Sequence, residues 1–325
     1  MNLSENHIRC FTHNLALILN AGLKSITITP KGLVLGKDLV LEEIEENSDD
    51  KSEHSEDDDR QGGQGISAIL KKVDFFIQKI TLSAVKRFEF NVWAKKLDYS
   101  GPVLIAGYGM RWDIKFQSGD QALKARNLIK NERDRQDQEG GKNCFSNLEI
   151  TQSDWEIVKK LNNMLSEFYC LTKKMEGNLS LALLMLAEYC YITDYLQKKL
   201  ESISEPKFHQ MIKKMLSKIA DSVSEALQCD AILLATVLNP SYQLSMLQRC
   251  CQSKNTSARS DQIIEDVDFS ESELALYLGG KYKLPSNQAV HCLKWWKEHS
   301  LEFPVLASIA KDYLACSLTS ASVEK

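Results

Sequence analysis

Apolar positions recur along most of this chain at three- and four-residue steps, the spacing that puts them on one face of an α-helix. Ile8, Phe11, Leu15, Ile18 and Leu19 do so within HIRCFTHNLALILNAGL, which predicts a short helix ending at Gly22. Ile69, Val73, Phe76, Ile77, Ile80 and Val85 mark one helix over residues 66–97, with Lys71, Lys72, Lys79, Lys86, Arg87, Lys95 and Lys96 as a basic complement. The pattern then breaks at Tyr99–Met110, where PVLIA reads as a brief strand or a buried turn, and resumes from Ile114 to about Asn131.

Further helices are predicted after Ser153, where Ser153 and Glu156 have capping-box spacing, with Leu161, Leu165 and Phe168 on the buried side. Leu179–Leu200 is apolar on several faces, as in the centre of a bundle. Pro206–Gln228 and Ala231–Leu238 follow, the second stopped by Asn239-Pro240. A polar linker over 252–268 leads to Ser270 and Glu273, a second capping-box pair, before LALYLGG. Asn287–His299 and Pro304–Cys316 complete a stack of eight to ten helices with almost no strand signal, in which Pro304 takes a favoured first helical position. The fold class is mainly α.

Composition agrees, since only 15 Gly and 6 Pro interrupt 325 residues. Nine cysteines form no Cys-x-x-Cys pair, and Cys170, Cys190, Cys229 and Cys316 sit among apolar neighbours, as in a reducing compartment. No apolar stretch is long enough to span a bilayer and no secretory signal is evident, so no membrane partner is expected. Residues 42–60 hold eleven acids against Lys51 and Arg60; they carry −9 of a net −4, so the remainder carries +5. That segment reads as a disordered, solvated loop, and the mildly basic remainder permits a nucleic-acid partner without requiring one.

Candidate chemistry is sparse. Cys10 and His13 have half of a zinc-site spacing, and no second pair completes it, so no structural metal is expected. Arg111-Trp112 reads as a bundle anchor with a covering cation, or as a stacking platform beside a phosphate-binding Arg. Trp295 and Trp296 are neighbours on one predicted helix and point about 100° apart. They read either as part of an ordinary core or as an interface in which one packs inward and the other faces a partner, with Phe303, Leu306, Ile309, Ala310, Tyr313 and Leu314 extending the apolar surface. No phosphate loop, nucleophile elbow or His-Glu-x-x-His pair occurs.

Taken in order, these pieces resemble the hAT family of DNA transposases. LALYLGG…CLKWWKEHSLEFPVLASIAKDYLACSLTSASVEK is similar to that family's C-terminal dimerisation region, and HIRCFTHNLALILNAGL to its Cys-x-x-His helix. Residues 69–97 resemble its basic helix, MRWDIKFQSGDQALKARNLI its Thr-Arg-Trp-Asn segment, and TVLNPSYQL its Leu-Asp-Pro-Arg-Tyr-Lys segment. The resemblance implies a helical insertion bundle flanked by stubs of an RNase H-like α/β core. The organisation expected is a core remnant over 1–30, the acidic loop over 31–65, the insertion over 66–268 and the dimerisation region over 269–325.

In the family, an Asp-Asp-Glu triad holds two divalent cations, Mg²⁺ or Mn²⁺, for strand cleavage and transfer. By the motif match Glu324 is the third carboxylate, Cys10 and His13 flank the site, and Arg111 and Trp112 handle the DNA end. Trp295, Trp296, Phe303, Leu306, Tyr313 and Leu314 form the dimerisation surface. The positions of the first two carboxylates and the BED-type zinc finger lie upstream of the motif that here occupies the N-terminus. Met110, Asp113, Asn239 and Ser241 also depart from the family pattern. The expectation is a truncated transposase-like protein that self-associates, binds DNA weakly, resides in the nucleus, uses no cofactor or small-molecule substrate and cuts no DNA. The alternatives are a domesticated nuclear interaction protein and an enzyme fragment extended at both ends.

Overall fold

The structure, a computed structural model, describes residues 11–26, 66–106, 112–138, 149–175, 182–252 and 273–314. Among the described residues there is no strand, and the fold is mainly α. Cys10, Arg111, Glu324 and the acidic run lie outside the described residues. Of the expected core remnants, residues 11–26 are described and form a helix and its closing turn. No helix among the described residues is long and apolar enough to cross a membrane.

The chain forms two compact units, one comprising Met1–Ser25 with Glu167–Lys325 and the other Ile26–Ser166. The smaller contains α2 (Ile66–Leu82), α3 (Ala84–Lys96), α4 (Trp112–Lys124), α5 (Arg126–Gln138) and the first part of α6 (Gln152–Met175). The apolar stripe over 69–80 enters its core with Phe90, Leu104, Leu128, Ile129, Trp155 and Val158. The single helix expected over 66–97 is in fact two. Ser83 leaves the helical conformation and its hydroxyl accepts from the Lys86 amide at 3.4 Å, so α3 starts on a new axis. Val85 therefore leaves the stripe and stands 66% exposed.

Similarly, Ala125 divides α4 from α5. PVLIA is neither helix nor strand; Leu104 is buried and the Ile105 amide donates to Gln121 Oε1 at 2.7 Å, which gives that amide the partner a regular element would supply. The capping pair before α6 is Thr151 and Asp154 rather than Ser153 and Glu156. The Asp154 amide donates to Thr151 Oγ1 at 3.1 Å, and the Thr151 amide donates to Asp154 Oδ2 at 2.9 Å.

In the larger unit α1 (Phe11–Ser25) lies along α8 (Pro206–Ala226), and α7 (Ala182–Ser202) packs on α8 and α9 (Asp230–Val237). Phe11, Leu15, Ile18 and Leu19 are fully buried, as their spacing predicts. Gly22 allows the close approach of α1 to α8, because a Cβ there would stand 2.5 Å from Met215 Cγ. The buried Asn14 amide donates to Tyr189 Oη at 3.1 Å, and the Phe11 and Tyr189 rings lie 4.9 Å apart. A tenth helix, α10 (Gln243–Gln252), has no counterpart among the predicted elements.

Candidate interaction surface

The C-terminal segment is assembled on the end of α9. That helix stops at Asn239-Pro240, which leaves its last carbonyls without helical partners. Two aromatic side chains supply donors: Tyr277 Oη bonds the Val237 carbonyl at 2.9 Å and Trp296 Nε1 the Leu238 carbonyl at 2.7 Å. Tyr277 belongs to α11 (Glu273–Leu278) and Trp296 to α12 (Cys292–Glu298), so two separate helices dock on one stub.

The turn after α9 makes further ties. Asn239 Nδ2 donates to the Leu183 carbonyl at 3.4 Å, and Asn239 Oδ1 accepts from the Ser241 amide at 3.1 Å. Gln243 opens α10 with φ of 49°, a left-handed conformation uncommon for a side-chain-bearing residue. Its side-chain amide donates to the Tyr277 carbonyl at 2.7 Å, and its backbone N–H bonds the Asn239 carbonyl at 2.9 Å. The TVLNPSYQL segment thus forms the platform on which the tail rests.

On that platform both tryptophans are buried, Trp295 at 8% exposure and Trp296 at 2%. This favours the ordinary-core reading of the pair over the one in which a ring faces outward. The argument from 100° spacing assumes an open helix, whereas α12 has only seven residues and is enclosed on two sides. Tyr277 and Leu238 receive Trp296, with the Tyr277 ring 5.1 Å away. His299 stacks on Trp295 at 4.0 Å and its Nδ1 lies 2.8 Å from the Trp295 carbonyl oxygen. Phe303 is fully buried and meets Tyr277, Trp295 and Trp296 at 6.2 Å each. Burial pushes the thiol of Cys292 up to about 11 and raises the Tyr277 hydroxyl further above its ordinary value.

The last described helix, α13 (Pro304–Leu314), carries two parallel stripes one residue out of register. Leu306, Ala310 and Leu314 are buried and face the aromatic cluster's side of the helix, continuing from Phe303. Val305 and Ile309 are 62% and 36% exposed, Tyr313 is half-buried, and Leu301, one four-residue step earlier in the preceding turn, is 99% exposed. The start of α13 has no acid of its own; the Glu273 carboxylate reaches across to accept from the Val305 amide at 3.1 Å and the Leu306 amide at 2.9 Å. Glu273 was expected to close a box with Ser270, which lies outside the described residues. It instead caps a different helix, with its charge at the positive end of the α13 dipole.

Of the residues expected on a dimerisation surface, Trp295, Trp296, Phe303, Leu306 and Leu314 belong to the protein's own core, and only Tyr313 borders the outer stripe. Leu301 and Val305 escaped the sequence reading, although the four-residue step Leu301, Val305, Ile309, Tyr313 was there to be counted. Trp112 is buried in the smaller unit at the first position of α4, with 7% exposure, which fits an anchor better than a stacking platform. His13 is exposed on α1. Among the described residues no group of three or more His, Cys, Asp or Glu side chains is placed to hold a metal ion.

Comparison with known proteins finds a family likeness in the tail. Residues 273–325 match the model of the hAT family C-terminal dimerisation region. The chain is also similar, at 23% identity over 98% of its length, to a protein of Talaromyces stipitatus named as a candidate transcriptional regulator, tpeD. It spans 38% of that relative's length. No solved structure matches.

Proposed function

We propose that this chain is a hAT-derived interaction module that self-associates through the outer stripe of α13. The observation that carries the reading is the coincidence of two findings. The segment matching a dimerisation region is anchored by its aromatic residues to its own platform, and it leaves Leu301, Val305 and Ile309 exposed in four-residue steps. Val305 and Ile309, one helical turn apart on α13, and Leu301, exposed in the turn before it, offer apolar surface that a second copy buries against its own, in a self-complementary two-fold contact. The aromatic cluster does not touch the partner; it sets the angle at which the ridge is presented.

The reading assigns association, not strand cleavage, to this segment, and places the protein in the nucleus beside DNA. The likeness to 38% of a candidate transcriptional regulator, over 98% of this chain, favours such a regulatory partner protein over a strand-transferring enzyme. The net +5 of the chain outside residues 42–60 leaves room for weak, salt-sensitive DNA binding.

Sedimentation velocity of the full chain tests the reading. The parent sediments as a dimer, and a Val305→Glu, Ile309→Glu double variant as a monomer with unchanged helical circular dichroism. A monomeric parent at high concentration, or a double variant that stays dimeric, overturns it.

A further inference from the structure

Two thiols sixty residues apart in sequence meet where α7 packs on α10. Cys190 Sγ and Cys250 Sγ are 3.3 Å apart, close enough to share a hydrogen. A disulfide needs sulfurs about 2.05 Å apart, so the pair is roughly one ångström from bonding distance and no helix has to move by a turn. Cys250 is 2% exposed, while Cys190 is half-buried and so the more exposed residue of the two. Arg249, ion-paired with Asp194, lies beside the pair. The hydrogen bond from Cys250, above all, holds the Cys190 thiol below its ordinary value; burial opposes this, the Arg249 charge adds to it, and Asp194 opposes it.

We propose that Cys190 and Cys250 are a peroxide-responsive modification site that closes into an intramolecular disulfide joining α7 to α10. The oxidant is a hydroperoxide. The Cys190 thiolate attacks the peroxide oxygen; an S–O bond forms, the O–O bond breaks, and the departing alkoxide or hydroxide takes the proton released by the thiol. The Cys250 sulfur then attacks the sulfur of the Cys190 sulfenic acid. The S–S bond forms, the S–O bond breaks, and the Cys250 proton leaves with the hydroxide as water. Two electrons pass from the two sulfurs to one peroxide, and a dithiol reverses the step.

Cys190 is the attacking sulfur because it is the more exposed and the one whose thiolate is stabilised. Cys250 is the resolving sulfur because it is already within contact. The cross-link has a structural reach beyond its own two helices. Gln243, at the other end of α10, holds the Tyr277 carbonyl, so a fixed α10 also fixes the platform of the tail.

The test treats the reduced full chain with hydrogen peroxide, unfolds it in denaturant with iodoacetamide so that every remaining thiol is blocked, and maps the cysteines by mass spectrometry without reduction. Two of the nine cysteines should escape alkylation, the peptides of Cys190 and Cys250 should appear joined, and dithiothreitol should restore both. In Cys250→Ser the Cys190 sulfenic acid should persist and react with dimedone, whereas Cys190→Ser should leave Cys250 unlabelled. Alkylation of both cysteines after peroxide, a bond from Cys190 to Cys251, or a bond between two copies of the chain overturns the proposal. So does dimedone labelling of Cys250 in place of Cys190.

Discussion

The indole N–H of Trp296 donates to the backbone carbonyl of Leu238 at 2.7 Å, so a residue of the C-terminal segment finishes a helix that lies 58 positions earlier. Both groups are buried. Trp296→Phe keeps most of the ring and removes the donor. The carbonyl is then left unsatisfied, at a cost of roughly 1–3 kcal/mol. Urea unfolding should show the loss, and Tyr277→Phe, which strips the neighbouring Val237 carbonyl, should show a similar one.

Glu273 should behave as a cap whose charge and oxygens both count. Glu273→Gln keeps an acceptor for the Val305 and Leu306 amides but loses the charge at the α13 N-terminus, about 0.3–1 kcal/mol. Glu273→Ala loses the acceptor as well, for a total of about 1–2 kcal/mol. The expected order of unfolding midpoints is parent, Gln, Ala, with the gap between parent and Gln shrinking as salt is raised.

Gly22→Ala sets two effects against each other. Alanine improves helix propensity by about 1 kcal/mol, but its Cβ would stand 2.5 Å from Met215 Cγ and 2.8 Å from Met215 Sδ. Forcing a methyl into such a contact costs about 1–3 kcal/mol. These are inner atoms of the methionine rather than its free end, so the steric cost wins. The variant should unfold at lower denaturant than the parent, and Gly22→Val lower still.

Asp74, enclosed in the smaller unit, has its carboxyl raised from 3.8 to about 6, chiefly by loss of solvent and against the pull of Lys115. The folded state therefore holds this proton more firmly than the unfolded chain does. No penalty exists below about pH 4; it builds between 4 and 6 and is fully present above 6. The shift sets a ceiling of roughly 3 kcal/mol, and the partial solvent contact of the side chain brings the expected effect nearer to about 1 kcal/mol. Asp74→Asn should remove the part of the decline in stability between pH 4 and 7 that this group causes, as followed by chemical denaturation across that range.

Most of the helices were legible, α10 excepted, and their faces less so. Phe11, Leu15, Ile18 and Leu19, or Ile69 through Ile80, could be placed inside from spacing alone, because each stripe lies on one unbroken helix. Spacing failed where the axis changed. Ser83 separates Val85 from the stripe, and the five-residue step from Ile80 to Val85 is a faint mark of that turn in the three- and four-residue pattern. It failed again at Trp295-Trp296, where a short helix is enclosed by partners from distant segments. Glu273 and Gln243 were unreadable for a related reason, since each serves a backbone group more than thirty residues away. Local patterns report helical faces; long-range caps become visible only when the elements have been placed.

The one-residue offset on α13 has a genetic consequence. Leu306, Ala310 and Leu314 hold the helix down, and Val305, Ile309 and Tyr313 follow the same four-residue rhythm a single step earlier. Inserting one codon near Pro304 would turn the helix by about 100°. Val305, Ile309 and Tyr313 would then take the buried positions, and the leucines would pass to the side now held by Ala307 and Lys311; deleting one codon would instead carry Ala307 and Lys311 to the buried positions. A point change at an outer position can therefore revise the partner and spare the fold, an insertion keeps an apolar core while erasing the outer ridge, and a deletion drives a lysine into the core.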